Sequence, residues 1–204
     1  MWPYTVDVQS GRPSNFQETD MTDFPIHDET TAPDGSKTML AESRKQNGMI
    51  PGLHGTMAEA PGLLASYRYV HEQFVNSSFD KDELTVVWQT VNVEHACHYC
   101  VPAHTAIAKG MKVDDTITDA LRNETALPTP RLEALRDFTL NVVRNRGNVD
   151  DAAVQAFLNS GYTRQQILEV VLGVAQKVMS NYTNHLAQTP VDAPFQKFGW
   201  QKTA

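Results

Sequence analysis

Residues 80–93 read DKDELTVVWQTVNV. The run is rich in β-branched residues and on propensity alone would pass for a strand. Its apolar positions Leu84, Val87, Trp88 and Val91 instead recur at +3, +4 and +7, which is one face of a helix. Periodicity outweighs propensity where the two conflict, so the spacing predicts a helix. Upstream, Leu63, Tyr67, Val70 and Phe74 draw a similar stripe over about Pro61 to Asn76. Downstream, Thr129 and Pro130 read as an N-cap and first helical residue, Leu132, Leu135, Phe138 and Val142 continue the inner face, and Gly147 is placed to end it. A shorter helix follows from about Asp150 to Asn159, stopped by Gly161. Thr163 and Gln166 then form a capping box for the longest helix, through Ile167, Leu168, Val171, Leu172, Ala175, Val178, Met179 and Tyr182 to about His185. Its apolar residues cover more than one face, as expected of a central or interface helix. No period-2 strand stands out, and the expected fold class is all-α.

Residues 1–50 are rich in Asp, Thr, Ser, Pro and Gly without apolar period, so they read as an extended arm or disordered tail ahead of a helical domain over 51–204. Trp2, Tyr4, Phe16 and Phe24 are candidate anchors of that arm on a neighbouring subunit, and Met21 is an alternative start. Two compositional facts narrow the function. Seventeen Lys and Arg against 24 Asp and Glu give a formal charge of −7, which argues against a nucleic-acid or anionic-membrane binder. No run approaches a membrane-spanning length, and MWPYTVDVQSGRPSNFQ has neither a basic n-region nor an apolar h-region, so the expected compartment is the cytoplasm.

The 2 cysteines, Cys97 and Cys100, lie in EHACHYCVPAHTAIAKG, residues 94–110. One adjacent pair cannot staple a chain of this length, so a redox or metal role is favoured. At about 100° per residue, Cys97, Cys100 and His104 fall within about 60° of one helix face. A helix starting near Ala96 would favour thiolate at both cysteines through its N-terminal N–H groups, and His104 could take the proton of Cys100. The second thiol could then trap a sulfenic acid as a disulfide. Two cysteines filling a core is a rival reading. So is zinc, with His95, Cys97, His98, Cys100 and His104 as candidate ligands, although no second Cys/His pair lies elsewhere to complete a usual structural site. Attachment of c-type haem is excluded, because Val101 occupies the histidine position.

CHYCVPAH, set in an all-α chain, resembles the C-x-x-C-x-x-x-H signature of the alkylhydroperoxidase D-like branch of the carboxymuconolactone decarboxylase superfamily. The similarity covers about residues 51–195, with PGLHGTMAEAPGLLASY like the entry helices and NYTNHLAQTPVD like the closing segment. The resemblance implies a helical protomer that assembles into a trimer or hexamer and reduces a hydroperoxide without a cofactor. It implies electrons from a dithiol partner, a lipoyl domain or a thioredoxin-like protein. By position Cys100 would attack the peroxide, His104 would assist its deprotonation, and Cys97 would resolve the intermediate and meet the reductant. The decarboxylase branch, a lyase rival, lacks the cysteine pair.

Members with the peroxidase relay carry a Glu twelve residues before the first cysteine, where this chain has Thr85. Glu94, three residues before Cys97, is the expected replacement, orienting His104 directly or through water; its alternative role is a carboxylate at a helix N-terminus. Glu83 is separated from the motif by the whole preceding helix. His71 reads as a satisfied core or interface histidine, His98 and Tyr99 as residues shaping the pocket or touching a neighbouring helix, and Asn181, Asn184 and His185 as capping or buried hydrogen-bonding residues.

Overall fold

The structure, a computed structural model, describes residues 23–202. Residues Trp2, Tyr4, Phe16 and Met21 lie outside that range. The described residues form nine α-helices and no strand: α1 (Asp34–Asn47), α2 (Gly52–Met57), α3 (Pro61–Val75), α4 (Lys81–Glu94), α5 (Cys100–Gly110), α6 (Asp115–Arg122), α7 (Pro130–Arg144), α8 (Asp151–Asn159) and α9 (Arg164–Ala187). A 3₁₀ turn, Ala193–Phe198, closes the chain. No described helix is long and apolar enough to cross a membrane.

The β-branched run over 81–93 lies in α4, and it is the axis of the fold. Asp80 caps it by accepting from the N–H groups of Asp82 and Glu83, while the Glu83 carboxylate accepts from the Asp80 N–H at 3.0 Å. Every residue from Glu83 to Val93 is buried, because α5, α6, α7 and α9 surround it. Such burial on all sides explains the β-branched composition: packing, not propensity, selects the residues. Trp88, Phe74, Phe138 and Phe157 centre one apolar cluster, and Leu40, Leu53, Met57, Leu64 and both cysteines belong to another. The caps at Thr129 and at Thr163 with Gln166 form as the sequence predicts.

Three local expectations are corrected. Residues 34–47, read as part of an arm, are helical. The helix α1 buries Leu40 together with Ser36 and Ser43; the Ser36 hydroxyl donates to the Ala58 carbonyl at 2.7 Å. Small serines pack this interface, so no apolar stripe announces it. The α5 helix begins at Cys100 rather than near Ala96, whose φ of 52° breaks the chain direction after α4. Cys97 therefore sits in the turn ahead of the helix. Finally, α9 is amphipathic in the inverse sense. Leu168, Val171, Tyr182 and Leu186 face outward, whereas Gln176, Lys177, Ser180, Asn181 and Asn184 are buried. Gly173 lies on the buried side because a Cβ there would come within 2.7 Å of the Phe74 ring and 2.8 Å of Val87.

Candidate active site

Cys97 and Cys100 are joined as a disulfide, with Cα atoms 5.2 Å apart. The turn after α4 brings them together, and the Cys100 N–H points at Cys97 Sγ at 3.2 Å. Their surroundings differ. Cys97 has no exposed surface, whereas Cys100 lines a cavity of about 560 Å³ bounded by α2, α3, α5, α9 and the 3₁₀ turn. The sulfur that the cavity reaches is Cys100, with Cys97 buried behind it.

Two amides address that sulfur. Asn181 Nδ2 donates to Cys100 Sγ at 2.9 Å and Asn184 Nδ2 does so at 3.3 Å. The Asn181 amide is fixed in this sense by its neighbours, since Nδ2 also donates to Asn92 Oδ1 and Oδ1 accepts from His95 Nδ1, both at 2.9 Å. Hydrogen bonds to sulfur favour its anionic form, so this pair is poised to hold a thiolate once the disulfide opens. The sequence reading gave Asn181 and Asn184 buried hydrogen bonds without seeing that cysteine was their acceptor.

His104, one turn into α5, lines the same cavity and is buried. Its Nε2 lies 2.8 Å from Nζ of Lys177, and its Nδ1 has no partner among the described residues. Burial first, then the Lys177 charge, holds the imidazole well below its ordinary range, so it is neutral at physiological pH. Lys177 is 1% exposed, and burial alone brings its amine down to about 7. The spacing within residues 94–110 gives no sign of it. Below this pair, Trp88 donates to Gln176 Oε1 at 2.6 Å, and the Gln176 amide reaches Tyr67 and His71 at 3.2 Å each. His71 is a satisfied core histidine stacked between Tyr67 and Trp88.

Glu94 does not replace the relay carboxylate. It is held by Arg144 through two hydrogen bonds of 2.8 Å, which lower its carboxyl, and it borders a separate small pocket with Glu124 and Arg136. The physical reason is the break at Ala96: with no continuous helix, the wheel that placed Glu94 beside the thiols does not apply. Glu83 is occupied in capping α4 and pairing with Arg131, and Thr85 donates to the Lys81 carbonyl within α4. The zinc ligands are not assembled either. His95 bonds Asn181, His98 reaches the Thr189 carbonyl at 3.1 Å, and among the described residues no group of three or more His, Cys, Asp or Glu gathers to hold a metal. His98 and Tyr99 do shape the pocket's surroundings: Tyr99 lines the cavity and donates to Asp192 Oδ2 at 2.6 Å, anchoring the closing segment.

No family profile matches the sequence, and no curated protein matches it. Solved structures do resemble the fold. An uncharacterized peroxidase-related protein of Ralstonia eutropha JMP134, described as an alkylhydroperoxidase AhpD core, superposes with a TM-score of 0.76 at 22% identity, covering 84% of this chain and 93% of that one. A peroxidase-related protein of Silicibacter sp. TM1040 gives 0.73 at 19% identity, covering 85% and 92%. The debrominase Bmp8, solved in complex with 2,3,4-tribromopyrrole, gives 0.70 at 14% identity, covering 85% and 94%. The chain thus has the all-α fold of the alkylhydroperoxidase D core.

Proposed function

We propose that this chain is a thiol-dependent hydroperoxide reductase in which Cys100 is the attacking sulfur, Cys97 the resolving thiol and His104 the proton carrier. The observation that carries the reading is a redox pair with one sulfur at the floor of an apolar cavity, held by two amide donors. The Cys100 thiolate attacks the peroxide O–O bond, giving Cys100 sulfenic acid and an alkoxide that takes one proton to leave as alcohol. The Cys97 thiol then displaces water from the sulfenic acid and closes the disulfide. A dithiol, from a lipoyl domain or a thioredoxin-like protein, reopens it by attack on Cys100 from the cavity and leaves as its own disulfide. Thiol titration tests the scheme. A stoichiometric dose of hydroperoxide is expected to remove two thiols per reduced chain, and a dithiol reductant to restore them; peroxide-insensitive thiols would end the proposal.

Bmp8 supports a second reading with the same electrons. In it, two thiols convert a bromoarene to the arene, releasing bromide and a proton as the disulfide forms. Bromide release without hydroperoxide consumption would select that chemistry.

Assembly is part of the proposal. Leu168, Val171, Tyr182 and Leu186 lie within about 60° on the outer face of α9, and Leu168 and Leu186 are 70% and 74% exposed. A continuous apolar stripe of this kind fits burial against other copies, a homotrimer or hexamer. Light scattering at micromolar concentration is expected to give a mass that is a multiple of 22.7 kDa, and a monomer mass would refute it.

A further inference from the structure

Lys177 is a buried amine with no acidic partner among the described residues. Among the described residues its amine has one hydrogen-bonding neighbour, the neutral His104 ring, and forms no ion pair. Among the described residues no carboxylate lines the cavity that Lys177 borders; Asp192, which meets the wall residue Tyr99, is engaged by the Tyr99 hydroxyl and the Gly52 N–H. The remaining wall is mostly apolar, with Leu53, Ile107 and Phe195 among its residues, beside the polar groups of Asn47, His54, Tyr67 and Tyr99. Depth follows from exposure: Ile107 and Pro194 stand at the open side, while Lys177, Cys100 and His104 are buried at the floor. Burying a charge unpaired is costly, and proteins retain such a group where something supplies the counter-charge. A volume of about 560 Å³ is also that of a site for a small organic molecule rather than for a water cluster.

We infer that the cavity is a binding site for an apolar organic monoanion, whose acidic group pairs with Lys177 beside the Cys100 sulfur. An oxyanion there would accept from the amine protons that His104 does not use, and its carbon skeleton would fill the space toward Ile107 and Phe195. Taken with the thiol chemistry above, on which this extension rests, the substrate class is a hydroperoxide that carries a carboxylate or similar acidic group.

Octanoate and 1-octanol differ in that charge and little else. Calorimetric titration of the full chain in its disulfide form, below pH about 7 where Lys177 is charged, is expected to show octanoate binding about tenfold or more tightly than octanol, the strength of a hydrogen bond to a charged group. Lys177→Met, which replaces the amine with an apolar side chain of similar length, is expected to erase the preference while keeping octanol binding. Equal affinities in the native protein, no octanoate binding, or an unchanged preference in Lys177→Met would overturn the site. The first comparison needs no variant, so a misfolded mutant does not spoil it. For the substrate class, a fatty-acid hydroperoxide is expected to show about tenfold higher kcat/KM than its methyl ester, and equal values would overturn the extension. If neither is reduced while octanoate still outbinds octanol, the thiol peroxidase reading fails and the anion site stands.

Discussion

Replacing Cys100 by serine is expected to abolish hydroperoxide-dependent oxidation of the chain, leaving Cys97 reduced after exposure to peroxide. The asymmetry of the pair carries this expectation. Cys100 is the sulfur in the cavity and the one that accepts from Asn181 and Asn184, whereas Cys97 is wholly buried behind it. A serine hydroxyl in place of Cys100 has no thiolate form at neutral pH and cannot take the peroxide oxygen. Cys97→Ser is expected to behave differently, undergoing one turnover that halts at Cys100 sulfenic acid or at a mixed disulfide. Trapping followed by mass spectrometry distinguishes the two, and the reverse pattern would exchange the roles. Asn181→Leu tests the same geometry more gently. Loss of the 2.9 Å donor is expected to raise the Cys100 thiol pKa and to slow its oxidation by roughly 10 to 100-fold, the scale of one hydrogen bond to a charged group.

The fold was legible wherever apolar spacing and cap chemistry agreed. The helix α4 could be read through its β-branched residues because a period of 3.6 survives any composition, and α7 and α9 announced themselves by Thr129 with Pro130 and by Thr163 with Gln166. The first helix was not legible, since its buried contacts are made by Ser36 and Ser43 and its polar sequence resembles a solvated segment. The site was half legible. Local spacing identified Cys97, Cys100 and His104, but Glu94 was misplaced because a single positive-φ residue, Ala96, breaks the helix on which its position was reckoned. Lys177, Asn181 and Asn184 come from the other end of the chain, and a signal for them was present. They recur at +4 and +7 along α9, a polar stripe opposite an apolar one. An amphipathic helix is ordinarily read with its apolar face inward. Here the polar face is inward because it faces the cavity and its sulfur, and the apolar face is left for the surface.

That polar interior also sets how stability varies with pH. The oxidised protein is expected to gain stability steadily from about pH 4 to about pH 10, instead of reaching a maximum near neutrality. Burial holds His54 and His71 at about 4, against 6.5 for the free side chain, so both stay neutral in the fold while the unfolded chain takes up protons below 6.5. Between those values the unfolded state binds more protons, stability therefore rises with pH, and acid removes up to roughly 3 kcal/mol per histidine. Lys177 acts in the same direction one window higher. Its amine titrates at about 7 in the fold and at 10.5 when exposed, so over that span the unfolded state again holds the extra proton and rising pH again favours the native state. The limit comes from Tyr67, which burial raises from 10.0 to about 12; above 10 the unfolded chain loses a proton that the fold retains, and stability falls. Growing negative charge on a chain already at −7 opposes the trend, but exposed charges are screened at physiological salt. Urea midpoints near pH 4, 6.5 and 9 check the profile, and Lys177→Met is expected to flatten the limb above pH about 7. A native protein no more stable at pH 9 than at 6.5 would mean that Lys177 keeps its proton in the fold through a partner that the cavity geometry does not show.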